Sequence, residues 1–275
     1  VKFKGEYVLL ITIENLKGSK SLYLARSKNG NRFTVDSKPF IAPAKDESGF
    51  MYEERGVLTP KITHLEGRYY ITYTASSQYG ARLALAVTDD FKTVEKLGFI
   101  SEPDTKGGTL FPEKINGRYA RLEMPKDGSR IWICYSDDLV YWGGFDEVMS
   151  PRGGYWDFHK IGPAAPPIKM DNGQWLLLYY GIKYTSAGPL SRIGAVFLSP
   201  EDPSRVIART NVPIISPQTM YERVGDIPNL IFVCGAICEK NILRIYYGAA
   251  QSCICLGFAS VDEIIENCIA SKRDF

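Results

Sequence analysis

Histidine is almost absent from this chain: there are two, His64 and His159, in 275 residues. A Ser–His–Asp site is therefore not expected, and no nucleophile elbow, HExxH or phosphate-cradling Gly-rich loop occurs. No apolar run approaches the roughly 18 residues needed to span a bilayer, and no basic-then-apolar leader precedes the first strand. Charge of one sign is not in excess either. The formal net charge is +2, and Lys and Arg are spread rather than blocked, which argues against a nucleic-acid footprint. Neither a membrane nor a nucleic acid is an expected partner.

Six cysteines are present, at 134, 234, 238, 253, 255 and 268. A chain of this length with 45% hydrophobic residues does not need a disulfide framework. Their spacing matches no zinc ribbon or finger, and each lies in apolar strand sequence, so buried free thiols are expected. That favours a reducing, cytoplasmic compartment, and no metal or cofactor is expected.

What the chain does have is a fivefold pattern. A Gly- or Asn-containing turn precedes a strand dense in Tyr, Ile, Leu and Thr, a loop follows, and then a strand of small and apolar residues. The turns are Lys4-Gly5, Glu66-Gly67, Asn116-Gly117, Asn172-Gly173 and Lys240-Asn241. They recur at intervals of roughly 50 to 67 residues, the length of a four-stranded propeller blade. The expected fold is all-β: residues 1–275 as one five-bladed β-propeller domain with a short C-terminal helix. Ser260 and Glu263 form a capping-box pattern ahead of Ile264, Ile265 and Cys268, the only helical signal. The segments 101–108 and 150–167 read as loops.

The connections carry carboxylates and aromatics: Glu53, Glu54, Glu123, Asp157, Glu222 and Asp226, with Tyr52, Trp156, Tyr180 and Tyr184. Aromatic faces stack on sugar rings, and paired carboxylates do acid and base work across a glycosidic bond. Spacing alone does not choose among the six acids.

Several stretches resemble glycoside hydrolase family 130, the β-mannoside phosphorylases and related β-mannosidases: GVLTPKIT, LFPEKINGRYARLEMP, KIGPAAPPIK, PEDPSRVIART and YERVGDIPNLIFVCGA. The resemblance implies a five-bladed propeller, a further N-terminal segment and a β-linked manno-oligosaccharide as substrate. It also exposes departures. The family motif G-x-E-D-P-R carries the general acid on its Asp, where this chain has Thr59, and a neutral hydroxyl is too weak an acid for that task. Lys61 takes the Arg position of that motif. The L-x-R-P motif, whose Arg helps hold phosphate, ends here in Met124-Pro125. The Y-H-G motif, whose His also faces phosphate, reads Tyr179-Tyr180-Gly181. Arg82 and Lys160 keep basic character at positions similar to phosphate or sugar ligands.

The leading expectation is an inverting β-mannosidase that uses water, with phosphate not a partner and with Glu123, Glu54 and Asp226 as catalytic candidates. Thr59, Lys61, Arg82, Lys160, Tyr180 and Trp156 are the expected substrate-binding residues. Phosphorolysis and a non-catalytic sugar-binding propeller are the alternatives, and self-association into a homo-oligomer is compatible with each.

Overall fold

The computed structural model describes residues 1–125 and 129–271, and its strands form five antiparallel sheets around one axis. Blade 1 holds β1 (Lys2–Phe3), β2 (Glu6–Glu14), β3 (Lys20–Ser27) and β4 (Thr34–Val35). Blade 2 holds β5 (Gly56–Leu65), β6 (Arg68–Ser77), β7 (Gly80–Thr88) and β8 (Glu95–Phe99). Blade 3 holds β9 (Thr105–Leu110), β10 (Tyr119–Pro125), β11 (Ile131–Ser136) and β12 (Gly143–Met149). In blade 4, β13 (Lys160–Pro163) and β14 (Ile168–Lys169) both pair with β15 (Trp175–Thr185), followed by β16 (Gly188–Leu198) and β17 (Val206–Arg209). Blade 5 has three strands, β18 (Ile231–Glu239), β19 (Ile242–Ala249) and β20 (Cys253–Ser260).

The apolar pattern dictates the ring. Side chains alternate between the two faces of a strand, so a strand apolar at every position must be covered on both sides. In β15, Leu176 and Leu178 pack toward blade 5, whereas Leu177 and Tyr179 pack toward blade 3. Each blade is thus sandwiched between two others. The buried side chains fall into five clusters, one per interface: blades 1 and 2, 2 and 3, 3 and 4, 4 and 5, and 5 and 1.

The last of these is the smallest. Leu9 and Ala25 of blade 1 meet Tyr246 of blade 5, and polar contacts complete the seam. The Tyr246 hydroxyl donates to the Gly30 carbonyl at 2.8 Å, Tyr7 donates to Glu239 at 3.2 Å, and Lys2 pairs with the same carboxylate.

Among the described residues three helices decorate the sheets: α1 (Glu47–Glu53), α2 (Met220–Arg223) and α3 (Val261–Ser271). Only α3 was legible beforehand. The Ser260 hydroxyl accepts from the Glu263 amide at 3.5 Å, and Val261, Ile264 and Cys268 pack under blades 4 and 5. Asp46 caps α1 by accepting from the Gly49 amide at 2.7 Å.

Two expected loops are partly strand. Residues 105–108 belong to β9 and residues 160–163 to β13, the inner strands of their blades. Their glycines mislead, because near the axis strands crowd together: a Cβ on Gly108 would strike Leu83, and one on Gly162 would strike the Tyr180 ring. No disulfide forms among the described residues, but only Cys134 and Cys268 are buried; Cys253 is exposed, because β20 is an outer strand at its blade's edge.

Candidate active site at the axial mouth

The inner strands β5, β9, β13 and β18 are each entered by the connection from the preceding blade, so those connections gather on one face of the ring. This face carries a cavity of about 410 Å³ between blades 1, 2 and 5. Thr59, Lys61 and Asp226 line it together with Thr12, Glu14 and Lys20. A second cavity of about 370 Å³ lies further along the axis, and Leu10, Pro60 and Cys234 line both.

Thr59 sits in a β-bulge between Leu58 and Lys61 with a φ of +52°, a left-handed conformation that a β-branched residue rarely adopts. Neighbours hold it there. Its hydroxyl lies 2.8 Å from that of Thr74, and its amide donates to Thr12 at 3.3 Å. Such strain persists where the surroundings over-determine it, and it clusters at functional sites. The position at which the resembling motif carries its acid is thus a strained threonine in this chain.

Lys61, two residues on, turns inward. It is buried, and its ammonium donates to the Val233 carbonyl beside Cys234. Burial draws its pKa down to about 8. Asp226 arrives from blade 5 in a loop pinned by Ile227, whose amide donates to the Ala250 carbonyl at 3.2 Å. Its carboxylate is exposed at the cavity and makes no hydrogen bond or ion pair among the described residues.

The other acids are engaged elsewhere. Glu123 is 3% exposed and pairs with Arg121, two residues away on the same face of β10. Arg121 in turn donates to the Ile100 carbonyl at 2.5 Å and lies 4.3 Å from the Trp142 ring. This face looks into the interface of blades 2 and 3. Met124, one residue on, faces the opposite way and accepts from the Tyr180 hydroxyl at 3.1 Å. Glu54 accepts from the Gln78 amide at 2.7 Å and holds the β6–β7 turn. Glu53, Asp157 and Glu222 are buried acceptors: Glu53 binds Tyr73 at 3.0 Å and Lys96 at 2.5 Å; Asp157 binds Tyr179, Arg152 and Arg209; Glu222 binds Tyr247 at 2.8 Å.

Trp156 is 7% exposed, stacks on Tyr179 at 5.4 Å, and lies over Gly181 and Gly194, which leave it room. Its ring is core and presents no open face to a sugar. Arg82 lies 5.0 Å from the Tyr52 ring, and its buried Nε has no hydrogen-bond partner among the described residues. Lys160, half-buried, has its pKa lowered by burial and by the neighbouring Lys106. Tyr180 has its hydroxyl pushed up by burial.

Lys106 escaped the sequence reading because it sits in a stretch that looked like loop. It stands directly opposite Met124 in the β9–β10 register. No signal in the sequence alone would have placed a lysine beside the residue that replaces the motif's arginine. Glu14 and Lys20, ion-paired at 3.2 Å on the cavity wall, were likewise unforeseen.

The ring and its mouth place the chain among propeller enzymes that act on glycosides. It belongs to glycoside hydrolase family 130: the family's sequence profile, described as beta-1,4-mannooligosaccharide phosphorylase, matches residues 8–269. A beta-1,2-mannobiose phosphorylase of Listeria innocua serovar 6a is 35% identical over 88% of this chain and 67% of that protein. A 1,2-beta-oligomannan phosphorylase of a Thermoanaerobacter species is 34% identical over 87% of this chain and 78% of its own. The solved structure of a beta-1,2-mannobiose phosphorylase from Listeria innocua, in complex with beta-1,2-mannobiose, superposes with a TM-score of 0.87 at 28% identity, covering 98% of this chain and 90% of that one. These relatives are phosphorylases, so the expectations of hydrolysis and of no role for phosphate find no support among them.

Proposed function

We propose that this protein is a β-mannoside phosphorylase. The reaction is inverting transfer: a phosphate oxygen bonds to the anomeric carbon, the glycosidic C–O bond breaks, and a proton is delivered to the departing oxygen. The products are mannose 1-phosphate and a shortened sugar.

The observation that carries this reading is the Lys106–Lys160 pair. The departures at Met124 and Tyr180 spoke against phosphate because they remove a cation and a donor. A nearby cation offsets that loss in this reading, since Lys106 stands opposite Met124 in the strand register and its charge acts on Lys160. The Lys160 ammonium, disfavoured by burial and by the nearby charge of Lys106, would be relieved by a dianion held between the two. Asp226 is the carboxylate available for proton transfer, on the same cavity wall as Thr59. Lys61 and the Thr59–Thr74 hydroxyl pair are suited to hold sugar hydroxyls. Against the hydrolytic reading stands the buried ion pair of Glu123 with Arg121, which occupies the carboxylate that would activate water.

The test is direct. The protein is incubated with β-1,2- and β-1,4-linked mannobiose, with and without inorganic phosphate, and the products are resolved by chromatography. Mannose 1-phosphate formed only with phosphate is the expected result. Free mannose at a phosphate-independent rate would replace this reading with hydrolysis, and sugar binding without turnover would replace it with a binding propeller.

A further inference from the structure

The pattern Cys253-Ile254-Cys255 on β20 has no part in the proposed reaction. Alternation along a strand puts both side chains on one face, and their sulfurs lie 3.8 Å apart. Cys253 is exposed and is among the residues lining the axial cavity, whereas Cys255 is half-buried beside Tyr247.

We infer that Cys253 and Cys255 form a vicinal dithiol site that captures a soft, thiophilic acceptor, with a monosubstituted trivalent arsenical as the fitting class. The geometry sorts the possibilities. Residues two apart on an extended strand are separated by about 6.6 Å, at the upper edge of the Cα spacing a disulfide tolerates, so direct S–S closure would have to buckle the strand. An inserted atom removes that demand. With bonds of about 2.3 Å, the length of a zinc–thiolate bond, an acceptor bridging sulfurs 3.8 Å apart subtends an angle of about 111°, close to tetrahedral.

No group of three or more His, Cys, Asp or Glu side chains gathers into a metal set among the described residues. The acceptor must therefore be satisfied by two sulfurs, as an arsenic that already carries one carbon substituent is. The exchange balances: R–As=O and two S–H groups give R–As(S)₂ and water, the arsenic–oxygen bond being replaced by two arsenic–sulfur bonds with no change of oxidation state. Burial pushes the Cys255 thiol up to about 12, with the hydrogen-bonded Cys253 and nearby Glu222 adding to it, which keeps it protonated and slow toward ordinary alkylating agents.

The probe is phenylarsine oxide, titrated onto the full chain and followed by intact mass and by counting remaining thiols. One arsenical per chain with loss of two thiols is expected. The adduct should survive excess 2-mercaptoethanol and be removed by 2,3-dimercaptopropanol. Cys253→Ser, at an exposed position that does not threaten folding, should weaken capture about 100-fold or more by abolishing the chelate, and Cys255→Ser should do the same. Cys234→Ser should leave it unchanged. Failure of the wild-type chain to take up the probe, or undiminished capture by Cys253→Ser, would overturn the assignment.

Discussion

Replacing Lys61 with Met should stabilise the protein while impairing it, and the gain should fade as pH rises. The ammonium is buried with a single carbonyl partner, and burial lowers its pKa from 10.5 to about 8. That difference of about 2.5 units corresponds to about 3 kcal/mol by which the folded state disfavours the charged form. Below pH 8 both folded and unfolded chains carry the proton, so the folded state bears the full penalty. Between pH 8 and 10.5 the folded chain releases its proton first, and the penalty shrinks by about 1.4 kcal/mol per pH unit. Methionine fills similar space without charge but forfeits the bond to Val233, worth about 1 kcal/mol. The variant should therefore be about 2 kcal/mol more stable than wild type at pH 7, and the advantage should vanish by about pH 10. Urea unfolding of both proteins at pH 7, 8, 9 and 10, followed by tryptophan fluorescence, measures this difference free of groups that titrate alike in both. A difference that stays flat across the series, or a variant less stable than wild type at pH 7, would refute the reasoning.

Four further substitutions separate the roles assigned to Asp226, Lys106, Lys160 and Glu123. Asp226→Asn should lower kcat for mannobiose phosphorolysis by about 100-fold or more with little change in melting temperature; turnover like that of wild type would remove Asp226 from proton transfer. Lys106→Met and Lys160→Met should each raise the KM for phosphate, a lost charge-assisted contact being worth about 1.5–3 kcal/mol or roughly 10- to 100-fold, while the KM for the sugar moves less; equal effects on both would argue against a phosphate role. Glu123→Gln leaves Arg121 buried without its counter-charge and should cost about 3 kcal/mol of stability, seen as a lower melting temperature. A large fall in kcat at unchanged stability would instead return Glu123 to catalysis.

The blade pattern was legible because the turn and aromatic-strand order recurs at β6, β10, β15 and β19, strands that flanking sheets bury on both faces. Inner strands were harder to see. Their glycines and prolines resemble loop punctuation, yet these small residues are what let strands crowd at the axis. The site was legible only in part, because a motif match fixes position along the chain but not the face. Glu123 and Met124 are neighbours in sequence and look into different blade interfaces, a difference that a motif spanning both positions does not reveal. Trp156 shows the same limit. In a Gly-rich connection it has the look of a sugar platform, and only the room left by Gly181 and Gly194, distant in sequence, makes it core.

The mouth cavity straddles the joint of the ring with the least apolar packing. Its walls come from blades 1, 2 and 5, so it lies where the small cluster of Leu9, Ala25 and Tyr246 leaves much of the closure to polar contacts. Any occupant that touches Thr12, Thr59 and Asp226 together therefore acts as a clasp across the first and last blades. By mass action it stabilises the closed ring by about 2.7 kcal/mol at a hundredfold excess over its dissociation constant. Without an occupant, the seam between blades 1 and 5 is the joint expected to exchange its amide hydrogens first. Substrate would then complete the architecture of the ring as well as react within it.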